Sequence, residues 1–276
     1  MIFRSYKPSF LLEPFIEVIH LRHFVFPPNT TLPFKPYPPR PEQCIAFYVR
    51  GGETTEYPFD GHRLKQPRSA LWGQHTQQIN RYVSPEFLMI LVVFKPGALF
   101  RFTHMPFQEL MNTAVDAEAV FGSSLARLNE RLNSTDAYGE MIDLVNDFLC
   151  IQAGMTSNES LEPVDKALQW LLKTPQALSV QDLAYHSCLS QRQLERKFLE
   201  RVGVGPKTFL KIARFNRSYF MRLRRPHMTW QAIASLCGYA DYQHLAKDYR
   251  SFTGNTAAQF FQTEEKAPER VLGLAQ

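Results

Sequence analysis

The chain has 276 residues, enough for about two domains, and its 45% hydrophobic and 21% charged content is ordinary for a soluble globular protein. Its longest apolar run, FLMILVVF at 87–94, is far short of the roughly 20 residues a membrane helix needs, and no charged segment leading into an apolar stretch opens the chain, so neither a membrane span nor a signal peptide is expected. The net charge of +5 is uneven: residues 161–262 carry 15 Lys and Arg against 7 Asp and Glu, the rest 16 against 19, which points to a polyanion-binding C-terminal region.

The first hundred residues are rich in Pro and Phe. Nine of the nineteen prolines precede residue 45, several of them in the loop PFKPYPPRP (33–41). Short β-like runs follow at 44–49, 69–74, 78–83 and 87–94, with turns at Gly51-Gly52 and Asp60-Gly61. This spacing predicts a small barrel or sandwich up to about residue 105. Helical periodicity then takes over to 152. Tyr138, Met141, Ile142, Val145, Phe148 and Leu149 fall on one face of a helix, either as internal core or as a dimer surface. The small, polar stretch around 153–161 reads as a linker between an N-terminal domain (1–152) and a C-terminal domain (162–262), with a tail at 263–276.

From 162 onward only helices are predicted. Pro163 opens the first, a short one covers about 180–187, and another covers about 190–202. Pro206 begins a long helix to 224, Thr229 caps a short one at 230–236, and a last one runs over about 241–252. Two of these helices are the same helix written twice. From the caps Ser190 and Asp241 onward, Leu194 and Leu245, Phe198 and Tyr249, and Gly203 and Gly254 align at a constant offset of 51. Before each lies a short helix with a small residue (Ala184, Ala234), the size needed where two helices cross steeply. The turns between carry Cys188 and Gly238.

On a helical wheel Leu194, Phe198, Leu245 and Tyr249 face the core. The opposite faces show Arg192, Glu195 and Arg196 in the first unit, and Tyr242, Gln243, Ala246 and Lys247 in the second. Arg reads guanine with two bonds, Gln reads adenine the same way, and Glu accepts from cytosine. Gln191, Lys207 and Arg250 flank these faces as candidate phosphate contacts. The long helix spans about 28 Å at 1.5 Å per residue, a spacer that suits two helices entering successive major grooves about 34 Å apart.

QDLAYHSCLSQRQLERKFLERVGVGPKTFLKIAR and TWQAIASLCGYADYQHLAKDYRSFTGNTAAQF together resemble the DNA-binding domain of AraC/XylS-type bacterial transcription regulators, over about 165–262. Trp230, Ser218 and Thr256-Ala257 depart from the usual pattern at packing positions. The resemblance implies the same seven base-facing residues as the wheel. It also implies a transcriptional regulator, with activation as the expected direction and RNA polymerase as a partner. Residues 87–122 are similar to a sensor-like domain of some such regulators, which implies a small-molecule effector, a homodimer, or both.

No metal spacing occurs among the eight histidines, and the four cysteines (Cys44, Cys150, Cys188, Cys237) form no C-x-x-C pair. No P-loop, nucleophile elbow or HExxH is found. The expectation is a cytoplasmic, cofactor-free, non-enzymatic α+β protein that binds double-stranded DNA. The alternative is a constitutive architectural or protein-interaction factor without an effector.

Overall fold

The computed structural model describes residues 1–29, 31–156, 162–174, 179–271 and 273. The N-terminal half runs β1 (Ile2–Tyr6), β2 (Ile16–Val25), β3 (Lys35–Tyr37), β4 (Gln43–Arg50), β5 (Glu53–Glu56), β6 (Arg63–Lys65), β7 (Ser69–Trp72), β8 (Ile79–Val83), β9 (Glu86–Phe94), α1 (Ala98–Thr103), β10 (Ala114–Asp116), α2 (Ala117–Phe121), α3 (Ser123–Asn133) and α4 (Tyr138–Thr156). The strands form two antiparallel sheets. One has six strands in the order β1-β2-β9-β4-β7-β10, the other four in the order β3-β8-β5-β6. Both sheets keep free edges, so the barrel alternative gives way to a sandwich.

Strand β9 reads as a continuous apolar run because it is central and covered on both faces. Leu88, Ile90, Val92 and Phe94 point to one side, into a core shared with Leu99, Leu125 and Leu128 of the helices. Phe87, Met89, Leu91 and Val93 point to the other, between the two sheets, with Phe24, Tyr48 and Trp72. The domain thus has three layers: a small sheet, a large sheet, and helices.

The α4 stripe belongs to the helical layer. Met141, Val145 and Leu149 are fully buried, Ile142 and Phe148 nearly so, and Tyr138 is half-buried against the same cluster. The dimer-surface alternative for these six residues is thereby corrected. Their apolar face is consumed by the large sheet of their own chain. The helix continues through Thr156, into the stretch expected to be linker, and 157–161 lie outside the described residues.

The C-terminal half is α5 (Pro163–Lys173), α6 (Val180–His186), α7 (Gln191–Val202), α8 (Pro206–Arg224), α9 (Trp230–Leu236), α10 (Tyr242–Thr253), α11 (Ala257–Glu264) and α12 (Pro268–Val271). Helix α8 is shared by two small cores. Phe209 and Ala213 join Leu183, Leu194 and Phe198 in the first. Ile212, Phe215 and Tyr219 join Ile233, Leu245 and Tyr249 in the second. The expected class, a β-rich domain followed by helices and then an all-α domain with two helix-turn-helix units on one long helix, is the fold observed. No helix among the described residues is long and apolar enough to cross a membrane.

Candidate nucleic-acid interface

The two helix-turn-helix turns are built alike. In the first, Leu189 N–H donates to Ala184 O at 3.1 Å and Cys188 N–H to Tyr185 O at 3.1 Å. In the second, Tyr239 N–H donates to Ala234 O at 3.0 Å and Gly238 N–H to Ser235 O at 3.3 Å. Both are Schellman closures, which place the residue after the cap in the left-handed region. Cys188 sits there at φ 52° and Gly238 at φ 79°. Ala184 (8% exposed) and Ala234 (0%) are buried at the crossings, and Gly238 is exposed.

The second helix of each unit, α7 and α10, begins on a side-chain cap. Gln193 N–H donates to Ser190 Oγ at 3.3 Å, while Ser190 N–H donates back to Gln193 Oε1 at 2.9 Å. His244 N–H donates to Asp241 Oδ1 at 2.7 Å. Leu194, Phe198, Leu245 and Tyr249 are fully buried, as expected. Gln191, Arg192, Glu195 and Arg196 are exposed on α7. Arg192 and Arg196 line one shallow concavity with Ser190 and Gln193. Glu195 turns back instead. A Cβ built on Gly205 would meet its Oε1 at 2.2 Å, so its carboxylate lies at the N-terminus of α8, where free N–H groups favour an anion.

On α10, Gln243, Lys247 and Arg250 are exposed and Tyr242 is half-buried against the second core. Ala246 is buried at 6% exposure. Its expected place on the open face is corrected: α10 buries Leu245, Ala246, Asp248, Tyr249, Phe252 and Thr253, a wider arc than that of α7, and the methyl falls within it.

Helix α8, expected as a spacer, also carries charge. Lys207, Lys211, Arg214 and Arg217 line one groove with Lys247 and His244 of α10 and Ser179 and Gln181 beside α6. Asp248, 1% exposed, is the counter-charge: Arg214 reaches its Oδ2 at 3.0 Å and Lys211 its Oδ1 at 3.4 Å. A signal existed in the i, i+3/i+4 spacing of these cations along one face.

The N-terminal domain holds both reading helices by their C-terminal ends, where backbone carbonyls lack helical partners. Gln43 Nε2 donates to Arg201 O at 2.9 Å, and the 3-10 turn Phe107–Leu110 lies against Gly203. Gln78 N–H donates to Phe252 O at 2.7 Å. Arg201, 4% exposed, pairs with Asp165 at 3.2 Å and with Glu162, and stacks over Phe100 at 4.4 Å. Burial holds the Asp165 carboxyl above its ordinary pKa against the pull of Arg201. At the N-terminal ends of α7 and α10, Gln191, Arg192 and Gln243 are exposed.

A helix-turn-helix domain family matches residues 183–263, which spans both units. The chain carries an AraC-type helix-turn-helix domain. Residues 4–116 match a domain of unknown function (DUF6597). Over 79 residues the chain is 33% identical to the HTH-type transcriptional regulator ArgR of Pseudomonas aeruginosa, a match covering 29% of this chain and 24% of that protein. The chain thus spans about a quarter of that relative's length. Among solved structures, unsaturated-fatty-acid-bound ToxT of Vibrio cholerae aligns over 98% of this chain and 99% of its own at 11% identity, TM-score 0.48. The AraC-like transcriptional activator CuxR aligns over 82% and 81% at 12% identity, TM-score 0.31.

Proposed function

We propose that the chain is a sequence-specific DNA-binding transcriptional regulator, with α7 and α10 entering successive major grooves on one side of a duplex. We propose further that residues 1–152 form a sensing domain, joined through 153–161 to the reader at 162–262. One observation carries the reading: Arg192 and Arg196 on α7, and Gln243 and Lys247 on α10, stand exposed at free N-terminal halves, the part of such helices that meets base edges. The groove of Lys207, Lys211, Arg214 and Lys247 between them offers the sequence-independent phosphate contact. The cavity between the two sheets supports control by a small effector.

Two substitutions separate base reading from phosphate binding, measured by titration against the selected site and unrelated duplexes. Arg196→Ala should lower discrimination at one base pair by about 1–3 kcal/mol and leave unrelated duplexes nearly unchanged. Lys207→Ala should weaken all duplexes alike and reduce the salt slope by about one. Uniform weakening by Arg196→Ala would remove the base-reading assignment. Activation, the direction the resemblance implies, is read by a reporter fused to the selected site.

A further inference from the structure

A cavity of about 130 Å³ lies between the two sheets. By the same measure a single water needs about 10–15 Å³, so there is room for on the order of ten non-hydrogen atoms. One part of the wall is apolar: Phe24, Phe87, Met89 and Leu91. The other part is cationic: Arg22, Lys35, Arg40 and Arg81. Two carboxylates face this charge, Glu53 and Glu269.

Glu53 is taken by Arg81, whose Nε donates to Oε1 at 2.8 Å. Lys35 pairs with Glu269 of α12 and with Glu264, the last residue of α11. Arg22 and Arg40 have no carboxylate within 4.0 Å among the described residues. Arg22 donates to Arg4 O at 3.0 Å and stacks on Phe3 at 3.4 Å. Arg40 lies over Tyr37 at 4.3 Å, and its buried Nε meets no acceptor. Burial, more than the opposing pull of Glu269, holds the Arg22 guanidinium below its ordinary pKa. Neither guanidinium thus has a paired carboxylate: Glu269 of the C-terminal segment acts on Arg22 at longer range, while Tyr37, Glu42 and Glu264 act on Arg40 and, despite its burial, hold it above its ordinary pKa.

We propose that this cavity is a site for a small organic anion with an apolar body, and that Glu269 is its resident intramolecular competitor. An incoming carboxylate takes Arg22 and Arg40, places its apolar body against Phe24 and Phe87, and displaces Glu269 from Lys35. The consequence is not confined to the tail. Lys35 also holds Glu264, which accepts from Tyr219 of α8 at 2.9 Å, so the displaced group sits beside the joint between α11 and the long helix. This inference rests on the sensing role assigned above to the N-terminal domain, but its test involves no DNA.

The test is calorimetric titration of the full chain with 2-naphthoate and, as a neutral match, 2-naphthamide. Glu269→Gln removes the competing charge while preserving size. The variant should bind naphthoate at least about tenfold more tightly than the unaltered chain, with no preference gained for naphthamide. Arg40→Gln, added to Glu269→Gln, should abolish that gain. Naphthoate affinity that is equal or lower in Glu269→Gln would overturn the competitor role. No naphthoate binding by either chain would overturn the site itself. Both results leave DNA reading untouched, because selection of bound duplexes tests that separately.

Discussion

Cys188 occupies a backbone position that costs an L-residue about 1–2 kcal/mol, whereas its counterpart Gly238 occupies the same turn without that cost. Glycine loses more chain entropy on folding, by about 0.5–1 kcal/mol, which offsets part of the relief. Cys188→Gly should therefore stabilise the chain by about 0.5–1 kcal/mol, visible as a higher denaturation midpoint; a lower midpoint would mean that the thiol makes a contact worth more than the strain. The duplication made the turn legible in advance, since aligning two copies puts a cysteine where the other has glycine. Ala246 was not legible. A wheel centred on Leu245 and Tyr249 assigns faces by angle alone and does not give the width of the buried arc, which on α10 extends to Ala246. Glu195 escaped for a related reason: its approach to Gly205 depends on how α8 leaves the loop after α7.

Helices α7 and α10 both end on a glycine at positive φ, but their surroundings differ, which permits a matched comparison. At Gly203, φ 90°, a Cβ would stand 2.5 Å from Phe107 O, a backbone atom of the N-terminal domain. At Gly254, φ 71°, the nearest atom is the ring carbon Cζ of Phe59 at 3.8 Å. Gly254→Ala should cost about 1–2 kcal/mol from backbone strain alone. Gly203→Ala should cost roughly 2–4 kcal/mol, because the 3-10 turn must also move. Urea denaturation of the two variants checks this, and equal costs would mean that α7 does not lean on that turn. Among strands, β9 was legible from its apolar run. Strand β2 was not, because His20, Arg22 and His23 stand where a strand covered on both faces would carry an apolar run like that of β9. His20 and Arg22 line the cavity between the sheets, so part of the polar content that hid the strand marks the candidate effector site. The α4 periodicity was legible as a buried stripe, but periodicity cannot say whether the partner is the same chain or another copy.

At the scale of the whole molecule, a β-rich domain grips α7 and α10 at their C-terminal ends. Gln43 holds the carbonyl of Arg201, and Gln78 N–H that of Phe252, so the N-terminal domain is hydrogen-bonded to the C-terminal ends of both α7 and α10. Charge asymmetry foretold which half meets DNA, while the grip itself, made of backbone carbonyls and a loop glycine, leaves no trace in composition. The central claim is that one chain reads two adjacent major grooves. Its most direct test is selection of bound sequences from a pool of random duplexes by the full chain. The expected result is two short conserved blocks centred about 10–10.5 base pairs apart, with preference relaxed at one position of one block by Arg196→Ala and at one position of the other by Gln243→Ala. A single block, or sequence-blind retention of the pool, would contradict it.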